Sequence, residues 1–159
     1  MIIDVHTHIF PQKICADREK YFEAEPAFEH LYRPPQSKMA NARELVAAMD
    51  ANGVDRSVVF GFPWRKTDIA KHHNDYVLES VTQFPDRLIG FGCLNPFDPH
   101  ASREAIRCLD GGLKGIGELA FYDFGIADGA DESLAPIMAI CRERNVPVLI
   151  HTNEPIGHM

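Results

Sequence analysis

Three helix-to-strand joints built on one pattern constrain the fold of this chain more than any other feature. Asn52-Gly53-Val54, Gly111-Gly112-Leu113 and Arg144-Asn145-Val146 each put a residue tolerant of positive φ at a helix end, then restart an apolar strand. With Pro85-Asp86 counted among them, the joints recur every 27 to 33 residues, the spacing of βαβ units. Strands are expected at 2–8, 54–62, 87–94, 113–119 and 146–152. Between them lie helical patterns. Asn41 with Glu44 forms a capping-box start, Leu45, Ala48 and Met49 share a face, and Gly53 stops the helix. Ile69, His73, Tyr76, Val77, Ser80, Val81 and Phe84 form the inward face of the next. Asp98-Pro99 reads as an N-cap followed by a first-turn proline, with Ala101, Ala105, Cys108 and Leu109 inward. The last helix carries Leu134, Ile137, Met138 and Cys141 and ends at Asn145. The alternation predicts an α/β fold with a parallel sheet. One segment breaks the rhythm: residues 9–40, inserted after the first strand. Its Phe10, Tyr21, Phe22, Phe28 and Tyr32 predict an ordered cap.

Composition narrows the function classes. The chain has 159 residues, 45% of them apolar, enough to offset chain entropy and exclude disorder over most of its length. No apolar run approaches the roughly 18 residues of a membrane span. Asp4 and His6 interrupt the apolar start, which argues against a secretory leader. A net charge of −7 argues against a nucleic-acid binder, which needs a basic face. Cys15, Cys93, Cys108 and Cys141 lack metal-ligand spacing and read as reduced thiols of a cytoplasmic protein.

The chemistry concentrates at strand ends. His6 and His8 share parity on the first strand, so both imidazoles face one way at its carboxyl end. Four ring nitrogens in adjacent buried histidines are hard to satisfy with protein hydrogen bonds alone, whereas a divalent metal accepts neutral imidazoles. Asp4 shares that parity and reads as the carboxylate that orients a ligand. Glu118 ends the fourth strand and His151 the fifth. A carboxylate ending a buried strand is costly unless it is paired or binds a cation, and Lys114 lies too far along the strand to pair easily. In an open sheet ordered 2-1-3-4-5, strands 1 and 5 stand about 14 Å apart and their histidines cannot meet at one ion. In a closed barrel of eight strands they face each other across the lumen.

The segments MIIDVHTHIFP, ANGVDRSVVFG, FPDRLIGFGCLNPFDP, GGLKGIGE and VPVLIHTNEPIGH resemble the amidohydrolase superfamily. The similarity is to its amidohydrolase-2 type, metal-dependent hydrolases and decarboxylases related to aminocarboxymuconate-semialdehyde decarboxylase. It extends over nearly the whole chain except residues 12–40. The resemblance implies a parallel (β/α)8 TIM barrel, present here as strands 1–5, with His6, His8 and His151 as metal ligands. It also implies a histidine after strand 6 and an aspartate after strand 8, and this sequence contains neither. Glu118 in a Gly-x-Gly-Glu setting looks more like the TatD-type hydrolases, where such a glutamate can bridge two metals; alternatively it supports a ligand or faces the substrate of a one-metal site.

These readings converge on a metal-dependent hydrolase acting on a small polar substrate. Zn²⁺ is the expected ion (one or two per chain), with Mn²⁺ or Fe²⁺ as alternatives, and it would lower the pKa of bound water to about 7. Glu118 and Asp4 are the candidate catalytic groups; His6, His8, Glu118 and His151 are the candidate ligands. The alternatives are a non-oxidative decarboxylase using the same site, with Glu118 not among the ligands, and a non-catalytic metal-binding half-barrel. A nuclease reading rests on the TatD-like glutamate alone. Weaker candidates are Asn153, Glu154 and His158 beyond strand 5, Trp64 as a pocket wall, and Asn95-Pro96 as a rim turn. His72 and His73 are expected to pack or be solvated on their helix, and His30 and His100 carry no signal. Residues 1–159 are expected to form the amino-terminal part of one barrel domain, inactive alone, with homo-oligomerisation as one way to cover its open edges.

Overall fold

The computed structural model describes residues 1–121 and 129–152. Five parallel strands form one sheet in the order β1-β2-β3-β4-β5: Ile3–His8, Arg56–Phe60, Leu88–Gly92, Gly115–Leu119 and Val148–Ile150. Consecutive strands being spatial neighbours is the order of a barrel, and a doubly wound sheet would place β1 between β2 and β3. The molecule is therefore a half-barrel.

Helices cross between the strands: α3 (Ala42–Asn52), α4 (Thr67–Gln83), α5 (Ala101–Asp110) and α6 (Ala130–Arg144). The capping box of α3 is complete, with the Asn41 side chain accepting from the Glu44 N–H and the Glu44 carboxylate accepting from the Asn41 N–H. The joint pattern holds as well, since Gly53, Gly112 and Asn145 all take positive φ. Strands are shorter than expected by one to four residues, because the flanking residues leave the ladder for turns. The start of α5 also differs. Asp98 does not cap it: its carboxylate accepts from the His100 N–H at 2.7 Å and its carbonyl from Ala101 at 2.9 Å, a separate turn ahead of the helix.

Side chains divide by strand parity. Val59 and Ile116 point outward into the core beneath the helices, with Val77, Ala105, Cys108, Ile137 and Cys141. Val58, Phe60, Phe91 and Cys93 point inward and fill the lumen side. At the open edge, β1 leaves Ile2, Ile3 and Val5 exposed. No helix among the described residues is long and apolar enough to cross a membrane.

Residues 9–40 form the expected cap: α1 (Gln12–Ala16), a 3-10 turn at Arg18–Tyr21 and α2 (Pro26–Tyr32). Its ends are joined by the Phe10 N–H donating to the Ala40 carbonyl at 2.9 Å. Phe10, Phe22, Phe28, Phe62 and Trp64 make its own core, and Phe28 lies 4.6 Å from Trp64 between ring centroids. Trp64 is thus core rather than pocket wall. The buried Glu25 carboxylate fastens the cap to the loop before α4, accepting from the N–H groups of Arg65 and Lys66 at 2.8 and 2.9 Å.

Candidate metal centre

Strand ends deliver the site. His6 and His8, their rings 5.4 Å apart, flank Phe60, whose ring meets each edge-on at 5.1 and 4.8 Å. Phe10 stacks on the other side of His8. Glu118 arrives from β4 with its side chain only 4% exposed. It is aimed by a slip in the β4–β5 register between Ile116 and Leu119. Gly117 makes that slip possible. Its φ is +138°, and a Cβ there would sit 2.5 Å from the Leu149 carbonyl oxygen.

Hydrogen-bond direction defines the electrostatics. His8 Nδ1 lies 2.8 Å from the Gly61 carbonyl oxygen, which only accepts, so Nδ1 carries the proton. In the neutral ring Nε2 is then bare, and it faces Glu118 Oε2 at 3.3 Å. His6 Nε2 faces the same oxygen at 3.6 Å. In that neutral tautomer, lone pair meets lone pair unless a metal cation or a second ring proton lies between them. Donors about 2.1 Å from a tetrahedral ion sit about 3.4 Å from one another, and the two separations match that edge length. All three ligand atoms lie within 4.8 Å of each other. These residues fit a divalent metal.

His151 reaches the same carboxylate from β5. Its Nδ1 lies 2.7 Å from Glu118 Oε1, so it holds the carboxylate's other oxygen. Burial alone would raise the Glu118 pKa; the bond from His151 and the imidazoles of His8 and His6 beside it outweigh this and keep the carboxyl below the usual range. Lys114 plays no part in pairing it. Burial pushes Tyr32, in the cap, up to about 12, with the Glu118 charge adding to this, so its phenol stays protonated.

Asp4 departs from its expected role. Its carboxylate is exposed and accepts from the His6 backbone N–H at 3.1 Å rather than from a ring. The cause is a register slip in β1 between Asp4 and Thr7, which breaks the parity that would have aligned Asp4 with the histidines. Asn95-Pro96 does form a turn, with Asn95 Oδ1 accepting from Phe97. His72 is exposed and bonds the Asp68 carbonyl. Asn153, Glu154 and His158 lie outside the described residues.

Two residues beneath the site were not legible as functional. His73 and Asn74, consecutive on α4, are both buried and reach up to the strand ends. The available signal was a polar pair on the apolar side of a helix.

The amidohydrolase family signature matches residues 3–159. The chain belongs to the amidohydrolase family. Among curated relatives, the 2-amino-3-carboxymuconate-6-semialdehyde decarboxylase of Dictyostelium discoideum is 29% identical over 181 aligned positions, covering 98% of this chain and 50% of that protein. The gamma-resorcylate decarboxylase of Rhodococcus jostii (strain RHA1) is 30% identical over 102 positions, covering 58% of this chain and 31% of that one. This amidohydrolase thus spans half or less of the length of these relatives. Its fold matches the 5-carboxyvanillate decarboxylase of Novosphingobium aromaticivorans, solved with manganese and a nitrobenzoic acid ligand, at a TM-score of 0.72 and 23% identity, over 95% of this chain and 50% of that one.

Proposed function

We propose that this amidohydrolase supplies the histidine-rich half of a divalent-metal centre for non-oxidative decarboxylation of a conjugated carboxylic acid. The observation that carries the metal is the bare His8 Nε2 aimed at Glu118 Oε2. The reaction class is supported by the relatives: carboxymuconate semialdehyde, resorcylate and carboxyvanillate all carry a carboxylate on a conjugated carbon. Hydrolysis, the leading expectation from sequence, has support only at the level of the family.

His6 Nε2, His8 Nε2 and Glu118 Oε2 would hold the ion, and His151 is the further ligand candidate once its bond to Glu118 is exchanged. Zn²⁺ and Mn²⁺ both suit this nitrogen and oxygen donor set. When bound, the metal supplies Lewis-acid fixation of a substrate oxygen. The His6 side chain is 48% exposed, leaving a solvent-facing approach for substrate. Decarboxylation leaves an electron pair on carbon that must take up a proton. The His151 Nδ1–Glu118 Oε1 pair holds one beside the centre. Phe10 and Phe60 flank the His8 ring and limit the directions from which it can be approached.

The test is paramagnetic broadening of a ¹³C-labelled carboxyl group of 2,6-dihydroxybenzoate by the Mn²⁺-loaded chain. The expected result is strong broadening that Glu118→Gln abolishes. Equal broadening in Glu118→Gln, or hydrolysis of an ester and amide panel with no response to conjugated carboxylates, would overturn the reading.

A further inference from the structure

α4 carries two adjacent buried polar residues that no surface ligand can reach and that the proposed chemistry does not use. His73 and Asn74 are 1% and 0% exposed. The first is fully specified by its partners. The Trp64 indole N–H donates to His73 Nδ1 at 2.8 Å, and His73 Nε2 donates to the Ile9 carbonyl at 2.6 Å. Trp64 therefore fixes the tautomer, and the tautomer fixes the residue that follows His8. Ile9 is held at its other end too, its N–H donating to the Phe60 carbonyl at 3.1 Å. The His73 ring also lies against the backbone of Gly61, where a Cβ would come within 2.8 Å of His73 Cγ. Gly61 is the residue whose carbonyl accepts from His8 Nδ1. Both supports of His8, its chain neighbour and its ring partner, rest on one imidazole.

Asn74 makes the matching contact one strand further along. Its Nδ2 donates to the Cys93 carbonyl at 2.9 Å and its Oδ1 accepts from the Cys93 N–H at 3.0 Å, so the side chain pairs with the backbone at the end of β3. The Cys93 thiol in turn donates to the Glu118 carbonyl at 2.9 Å.

We propose that the His73-Asn74 pair is the positioning element of the metal centre, His73 setting the ring of His8 through Gly61 and Ile9, and Asn74 setting Glu118 through Cys93. This rests on the metal reading above. Groups that orient ligands in this way typically affect metal affinity about 10- to 100-fold.

The experiment titrates Zn²⁺ into the full chain against a competing chelator and measures the His8 ring tautomer by ¹⁵N NMR in the metal-free chain. In the wild type, His8 shows a protonated Nδ1. His73→Phe removes both bonds and is expected to average the His8 tautomers and to weaken Zn²⁺ binding by about 10- to 100-fold. His73→Gln, which keeps an acceptor and a donor, restores most of the affinity. Ile137→Ala, in α6 and away from the site, controls for stability: it lowers the melting temperature and leaves the Zn²⁺ dissociation constant within about twofold. If His73→Phe fails to fold, Trp64→Phe removes the indole donor, with some loss of packing in the cap core, and its His8 tautomer and Zn²⁺ affinity are read in the same way. A His8 tautomer and a Zn²⁺ affinity unchanged in the folded variant overturn the proposal. A wild-type chain that binds no Zn²⁺ overturns the metal reading instead, and the tautomer still decides whether His73 orients His8.

Discussion

Replacing His73 with glutamine removes an acid-sensitive group from the core while keeping an amide able to accept from Trp64 and donate to Ile9. Burial lowers the His73 imidazole from 6.5 to about 4; the Ile9 bond opposes this shift and the charge of His8 adds to it. The unfolded chain thus takes up this proton at a higher pH than the folded one. Between those two values the unfolded state holds more protons, so stability rises with pH. The His73 contribution is complete above about pH 6.5 and is lost as the pH falls toward about 4. At about 1.4 kcal/mol per unit, the whole window is worth about 3 kcal/mol, of which roughly 2 kcal/mol is lost between about pH 7 and about pH 5. Urea denaturation with chelator present, followed by circular dichroism across this range, measures it. Carboxylates common to both chains cancel in the difference. Wild type is expected to lose roughly 2 kcal/mol more than His73→Gln over that interval. Parallel pH profiles would refute a buried His73 held neutral in the folded chain.

Further outcomes follow from the same contacts. Gly117→Ala forces a Cβ onto the Leu149 carbonyl at a φ of +138°, so it should cost on the order of 3 kcal/mol in urea denaturation and loosen β5 from β4 in hydrogen exchange. Phe28→Ala empties the centre of the cap core and should cost about 3–5 kcal/mol, with limited proteolysis then cutting first within residues 9–40. Val5→Lys places a charge on the exposed edge strand and should suppress concentration-dependent association in sedimentation velocity. Cap cleavage no faster than in wild type, or association unaffected by the lysine, would count against those assignments.

The sheet was legible because βαβ spacing and positive-φ joints are local signals. Gly53, Gly112 and Asn145 could be read one residue at a time. Barrel closure rather than an open sheet followed from a single geometric demand, that His6, His8, Glu118 and His151 converge. Asp4 failed the same parity reading because a register slip in β1 depends on how β1 pairs with β2, which no single strand records. The contact of His151 with Glu118 Oε1 was not legible, since strand parity gives direction but not the depth at which two side chains meet. Asp98 was read as the cap two residues early because a proline after an Asx residue serves a turn as well as a helix start. His73 was placed on the inward face of its helix, yet its partner Ile9 lies 64 residues away in sequence, beyond any local pattern. The aromatics of residues 9–40 announced an ordered cap, and only the fold shows Glu25 fastening it down.

The central claim is that His6, His8 and Glu118 form one divalent-metal centre. Isothermal titration of the metal-free chain with Mn²⁺ and with Zn²⁺, beside Glu118→Gln and a His6→Ala/His8→Ala double variant, tests it most directly. One ion per chain, with affinity falling at least about 100-fold in both variants, is the predicted result. Binding of equal strength in all three chains, or none in the wild type, would contradict it.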